Sequence, residues 1–176
     1  IEKSLQFLAD LRRDYPKQNI MAMTYINKLF AYGLDNFCNA LKEREVRYII
    51  IPDLPFDSPL AKAIQDHDYV QLVPVVSANT SDKRLTEMLT YKPDYMYIMA
   101  DYKITGGTFS INPRIQHVIG YVRQAGATKV GLGFGISDRN QVDEVLKIAD
   151  FAIIGSALTK AVEDGTIEAK LADLTQ

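Results

Sequence analysis

The sequence predicts an α/β fold in which parallel strands alternate with helices, and more narrowly a (β/α)8 TIM barrel of the phosphate-binding type. Three observations carry this. Strand-like runs recur at 19–24 (NIMAMT), 47–51 (RYIII), 70–76 (VQLVPVV), 94–99 (DYMYIM), 129–133 (KVGLG) and 151–155 (FAIIG). Most are continuously apolar, as expected of parallel strands covered on both faces. Amphipathic stretches separate them at 34–44, 59–67, 83–89, 113–124, 141–148 and 158–163. That order calls for a parallel sheet with right-handed crossovers. Two strands late in the chain end in glycine-bearing loops, which favours the barrel over an open sheet.

The elements follow in order. The opening IEKSLQFLADLRRDYP is already in helical rhythm, with Ile1, Leu5, Leu8 and Leu11 on one stripe. No G-x-G-x-x-G follows the first strand, so the main sign of a dinucleotide-binding fold is missing. In 51–61, IPDLPFDSPLA, the left half reads as the end of a buried strand. The D-S-P-L-A half reads as a helix start, with Asp57 or Ser58 as N-cap and Pro59 in the first turn. Six strand–helix units are visible where a barrel has eight, and about 250 residues is typical of that fold. The expectation is a single, incomplete barrel domain over 1–176, holding strands three to eight, with the first two units upstream.

Composition narrows the function. The chain has 176 residues, 47% hydrophobic and 24% charged, with a formal net charge of −2. Lys and Arg form no cluster, which argues against nucleic acid or an anionic membrane as partner. No apolar run approaches the ~20 residues of a bilayer span. Cys38 is the one cysteine, so no internal disulfide can form and a reducing cytoplasm fits best. His67 and His117 stand apart on predicted helices and read as solvated surface residues. No cluster has metal-ligand spacing, so neither metal nor cofactor is expected.

The strongest chemistry is GFGIS at 133–137, followed by GSA at 155–157. Glycine at a strand end lets backbone N–H groups approach a ligand with no Cβ in the way. Ser156 and Ala157 then open a helix, whose free N–H groups and positive dipole end favour a phosphate. A lone G-x-G would be only a tight turn; two on successive strands favour a cradle, though tight turns alone stay open.

Five stretches together resemble the tryptophan synthase alpha chain family: MTYINKLFAYG (23–33), IIIPDLP (49–55), YMY with ITGG (95–107), GFGIS (133–137) and IIGSA (153–157). They fall in the family's order and spacing over almost the whole chain. The resemblance implies a lyase that cleaves indole-3-glycerol phosphate to indole and glyceraldehyde 3-phosphate. It implies no cofactor, and a beta chain partner in an α2β2 complex that receives the indole. By position, Gly106, Gly135, Gly155 and Ser156 match the family's phosphate-holding residues, and Phe134 matches the aromatic beside them. Tyr25 and Tyr97 match pocket-wall tyrosines, with plain core packing as the rival reading. Thr105 matches a threonine of the loop that closes over substrate. Asn27 fits the segment facing the beta chain, and a turn-forming Asn explains it equally well. Asp101, Tyr102 and Lys103 add bulk and charge where the family has small residues, which puts loop closure in question.

The retro-aldol step implied by the resemblance needs an acid for the indole carbon, a carboxylate for the indole nitrogen and a base for the glycerol hydroxyl. The family places its glutamate in an E-x-G-x-P context and its aspartate in P-F-S-D-P. On this resemblance both lie upstream of residue 1. Asp53, at a strand's C-terminal end, matches a family aspartate that orders loops; it is a supporting residue. The 176 residues alone are therefore expected to be inactive. Two rivals remain: a non-catalytic phosphate-binding subunit that modulates a beta-type partner, and another phospho-sugar barrel enzyme.

Overall fold

Apolar residues at helical spacing open the chain, and Glu2–Asp14 form α1, with Leu5 buried at 2% exposure. Basic Arg12 and Arg13 in the last turn suit the negative end of the helix dipole. The Arg12 guanidinium also donates to the carbonyls of Pro16, Gln18 and Glu45 at 3.0, 3.0 and 2.9 Å. One side chain thus fixes α1 to the approach to the first strand and to the turn before the second. The computed structural model describes residues 1–99, 102–105, 108–125, 129–133 and 135–175, with 102–105 and 108–110 described by backbone alone.

The chain divides into two compact parts, Ile1–Val75 and Val76–Gln176. In the first, β1 (Met21–Met23), β2 (Tyr48–Ile50) and β3 (Gln71–Leu72) form a parallel sheet in that order. The register sets Ala22 against Ile49 and Ile49 against Leu72, all three buried. Between β1 and β2 run α2 (Ile26–Tyr32) and α3 (Leu34–Glu43), split at Gly33. Gly33 has φ +85, a left-handed conformation that a side chain disfavours. Leu29, Phe37, Leu41 and Val46 fill this core. Helix α4 (Pro59–Gln65) begins at Ser58, whose hydroxyl accepts from Ala61 N–H at 3.2 Å. Of the two caps the sequence allows, the structure uses Ser58.

Two sequence expectations need correction here. The run 70–76 is not one strand: β3 ends at Leu72, and β4 (Val75–Ser77) belongs to the second sheet. Pro74 lies between them and has no N–H to give a ladder. His67 is neither helical nor a solvated residue. It lies beyond α4, with its side chain only 17% exposed. Its Nδ1 accepts from the N–H groups of Tyr69 and Val70, both at 3.2 Å, so the ring shapes the turn into β3.

In the second part the sheet order is β4, β5 (Tyr95–Met99), β8 (Lys129–Gly133) and β9 (Phe151–Ile153). A hairpin of β6 (Tyr102–Thr105) and β7 (Thr108–Ile111) lies apart as an antiparallel pair. Helices α5 (Asp82–Leu89), α6 (Pro113–Gln124), α7 (Arg139–Leu146), α8 (Ser156–Glu163) and α9 (Ile167–Thr175) complete it. Ser81, Asn112 and Asp138 cap α5, α6 and α7 by accepting from backbone N–H groups of the first turn. A polar ladder joins α5 to α6: Arg114 to Asn79 at 3.0 Å, His117 to Asp82 at 2.9 Å, Tyr121 to Thr86 at 2.7 Å. His117 keeps the exposed position read from sequence, at 61% of its side chain.

Strands β8 and β9 pack closely and pair in parallel, with Gly131 opposite Phe151 and Gly133 opposite Ile153. A Cβ on Gly131 would fall 2.1 Å from the Phe151 ring; one on Gly133 would fall 2.7 Å from Ile153 Cβ and 3.0 Å from Ile153 O. Phe151 in turn meets Tyr95 edge-on, centroids 5.9 Å apart. These glycines allow β9's side chains to lie across β8. At Gly133 the obstacle is a branched Cβ and a backbone carbonyl, which cannot swing aside. Gly133→Ala is expected to cost about 1–3 kcal/mol, as overpacking a closed core does. Urea unfolding checks it; an unchanged midpoint would mean that β9 yields.

Candidate functional site

Adjacent parallel strands deliver their loops to the same sheet edge, about 4.8 Å apart. Gly135 comes two residues after Gly133, and Gly155 two after its register partner Ile153. The pairing therefore sends both glycine loops out side by side. Gly135 is exposed with φ +79, so its glycine is demanded by the backbone turn. Ile136 is buried at 2% exposure and holds the loop to the core.

Gly155 is different. It is exposed, its φ is negative, and among the described residues nothing lies within 4 Å of where a Cβ would sit. Among the described residues no packing demands a glycine there. It is also the N-cap of α8, and no side chain caps that helix. The Gly155 carbonyl accepts from Leu158 and Thr159, so the N–H groups of Ser156 and Ala157 in the first turn have no intrahelical partner. Open space over uncapped amides at the positive end of a helix dipole suits a phosphate.

Tyr97, opposite Gly131 in the β5–β8 register, is half-buried. Its ring lies beside Gly133, 3.0 Å from where a Cβ there would project. Burial pushes the phenol above its ordinary value of 10, so at neutral pH it is an uncharged O–H. It lines the strand that feeds the GFGIS loop. Thr105 ends β6 opposite Thr108. Gly106, Phe134 and Asp101 lie outside the described residues.

The remaining candidates lie in the first part of the chain. Tyr25 is the N-cap of α2, 54% exposed, and Asn27 is exposed in its first turn. Asp53, in the loop after β2, is brought to the same place: both its carboxylate oxygens accept from Ile26 N–H, at 3.1 and 3.3 Å. Asp53 so does for α2 what a capping side chain does for α4 to α7. The short helix α2 that this contact starts was missed in the sequence, where 26–32 was not read as helical. Gln141 was missed as well: its side-chain oxygen accepts from the N–H and hydroxyl of Ser137, at 2.6 and 3.2 Å. The S-D-R-N-Q spacing, an N-cap followed three residues on by Gln, was the available signal. Among the described residues, no three of His, Cys, Asp or Glu gather where a metal could bind, and no helix is long and apolar enough to cross a membrane.

Known proteins match this chain over nearly its whole length. The family model described as tryptophan synthase alpha chain matches residues 1–175. The alpha chain of Leptospira interrogans is 30% identical over 167 residues, covering 93% of this chain and 63% of its own. That of Halalkalibacterium halodurans is 31% identical over 175 residues, covering 98% and 64%. A solved structure of the tryptophan synthase α2β2 complex from Pyrococcus furiosus matches with a TM-score of 0.82 and 25% identity, over 98% of this chain and 73% of that one. This likeness shows the fold: the βα units are those of a (β/α)8 barrel. The chain spans less than two thirds of the length of these curated relatives.

Asp53→Ala removes both acceptors from the start of α2. It is expected to destabilise the protein by about 1 kcal/mol, the worth of a helix cap, and to speed amide exchange at Ile26. Urea unfolding with hydrogen exchange measures both; unchanged Ile26 protection would show that the contact does not order α2.

Proposed function

The chain belongs to the tryptophan synthase alpha chain family, and from that premise we propose that the protein is a lyase. It cleaves indole-3-glycerol phosphate to indole and glyceraldehyde 3-phosphate for tryptophan biosynthesis. It acts in the cytoplasm beside a beta chain, in an assembly like the α2β2 complex of Pyrococcus furiosus. The 176 residues form one incomplete barrel domain and supply the phosphate end of its site.

The single observation that carries this reading is Gly155. Among the described residues no packing accounts for a missing side chain there, and the uncapped start of α8 follows it directly. A phosphate monoester would use both features. Gly135 supplies the second loop, Ser156 the helix terminus, and Gly106 and Phe134 the family positions beside them. By the family's pattern Tyr25 and Tyr97 are pocket-wall tyrosines, Thr105 belongs to the closing loop, and Asn27 to the segment that faces the beta chain. Asp53 orders the start of α2 and transfers no proton.

The sequence holds no E-x-G-x-P and no P-F-S-D-P. A polypeptide of these 176 residues accordingly binds the phosphate product without cleaving the substrate. A second reading, favoured by the absence of both motifs from these residues, is a non-catalytic phosphate-binding subunit that modulates a beta-type partner.

Calorimetric titration with glyceraldehyde 3-phosphate, alongside an indole-release assay, tests both statements. Saturable binding with no indole is expected. Gly155→Ala is expected to weaken binding about tenfold or more while the thermal midpoint holds, since the new Cβ meets no atom of the described residues. Absence of binding would sink the phosphate reading, and indole release from this polypeptide would sink the claim of inactivity.

A further inference from the structure

The loop between β8 and α7 is held at three points. Gly133 is fixed in the β8–β9 ladder, Ile136 is buried, and Ser137 is gripped by Gln141 from the first turn of α7. A backbone N–H can only donate, so the atom facing Ser137 N–H at 2.6 Å is the Gln141 amide oxygen. The same oxygen accepts the Ser137 hydroxyl at 3.2 Å. Gln141 N–H meanwhile donates to the Asp138 carboxylate at 3.0 Å. This is a capping box moved one residue outward: the side chain reaches back past the N-cap to the loop before it.

We propose that Gln141 is a positioning residue for the phosphate loop, a role that rests on the phosphate reading of Gly135 and Gly155. Its oxygen engages both donors of Ser137, so neither is offered to a ligand. With Ser137 and Ile136 held on one side and Gly133 on the other, the left-handed turn at Gly135 is set before any ligand arrives. A phosphate monoester dianion then meets a formed loop beside the uncapped start of α8, and little ordering entropy is lost on binding. The donors left to it are backbone amides, not the Ser137 hydroxyl. Gln141 touches no ligand in this scheme; it acts through Ser137.

Two variants test it. Gln141→Met keeps the length of the side chain and removes the acceptor, whereas Gln141→Glu keeps an acceptor oxygen at the same reach. Exchange of the Ser137 amide is followed by NMR, inorganic phosphate is titrated, and the thermal midpoint is recorded for each protein. In Gln141→Met the Ser137 amide should exchange about tenfold faster, as expected for one lost hydrogen bond, and phosphate affinity should fall several-fold. In Gln141→Glu the Ser137 amide should stay protected. Unchanged protection in Gln141→Met overturns the grip on Ser137, and faster exchange with unchanged phosphate affinity overturns the positioning role. Should Gln141→Met fail to fold, Gln141→Glu decides, and loss of Ser137 protection there overturns the proposal. A wild-type protein that binds no phosphate overturns the phosphate reading instead, and Ser137 exchange still judges the grip.

Discussion

The pairing of β9 with β8 is the constraint on which the candidate site depends. Two glycines in β8, Gly131 and Gly133, give up their side chains so that Phe151 and Ile153 can lie across them. Parallel register then fixes where both strands end, and strand direction fixes which edge their loops leave from. The two glycine loops are neighbours because a packing requirement upstream of them is met. A shift of one residue would turn each side chain of β9 to the opposite face and separate the loops.

Around this frame, backbone amides and helix ends do the work that charged side chains do elsewhere. No Lys or Arg is needed at the start of α8, because uncapped N–H groups already present partial positive charge. Carboxylates are used structurally instead: Asp138 caps α7, and Asp53 accepts from the first N–H of α2. Amides at a helix terminus cost no reorganisation when an anion arrives, which is what the proposed phosphate site would use.

The parallel order was legible because buried strands read as unbroken apolar runs, and each of the six runs contains a strand. The helix 113–124 was read to the residue, since Asn112 and Pro113 mark its start. Where reading failed, the deciding contacts are distant in sequence. Helix α2 depends on Asp53, 27 residues away, and MTYINK taken alone looks like the end of a strand. Pro74 was visible, yet its effect was hidden by apolar neighbours on both sides. His67 reads as a surface residue in the sequence because its two backbone donors, Tyr69 and Val70, belong to a turn without local signature. The glycine motif is legible, but its glycines divide into those that packing requires (Gly131, Gly133), one that the turn requires (Gly135), and one for which the described residues give no packing reason (Gly155). Spacing alone cannot make that division, because it depends on what the neighbouring strand places over each position.

The central claim is that adjacent loops from β8 and β9 hold a phosphate by backbone amides. The most direct measurement is a ¹H–¹⁵N NMR titration with glyceraldehyde 3-phosphate that follows the amides of Gly135, Gly155 and Ser156. The account predicts that these three move together, saturably, and more than amides elsewhere. Shifts confined to other residues, or none at these positions at saturating ligand, would contradict it.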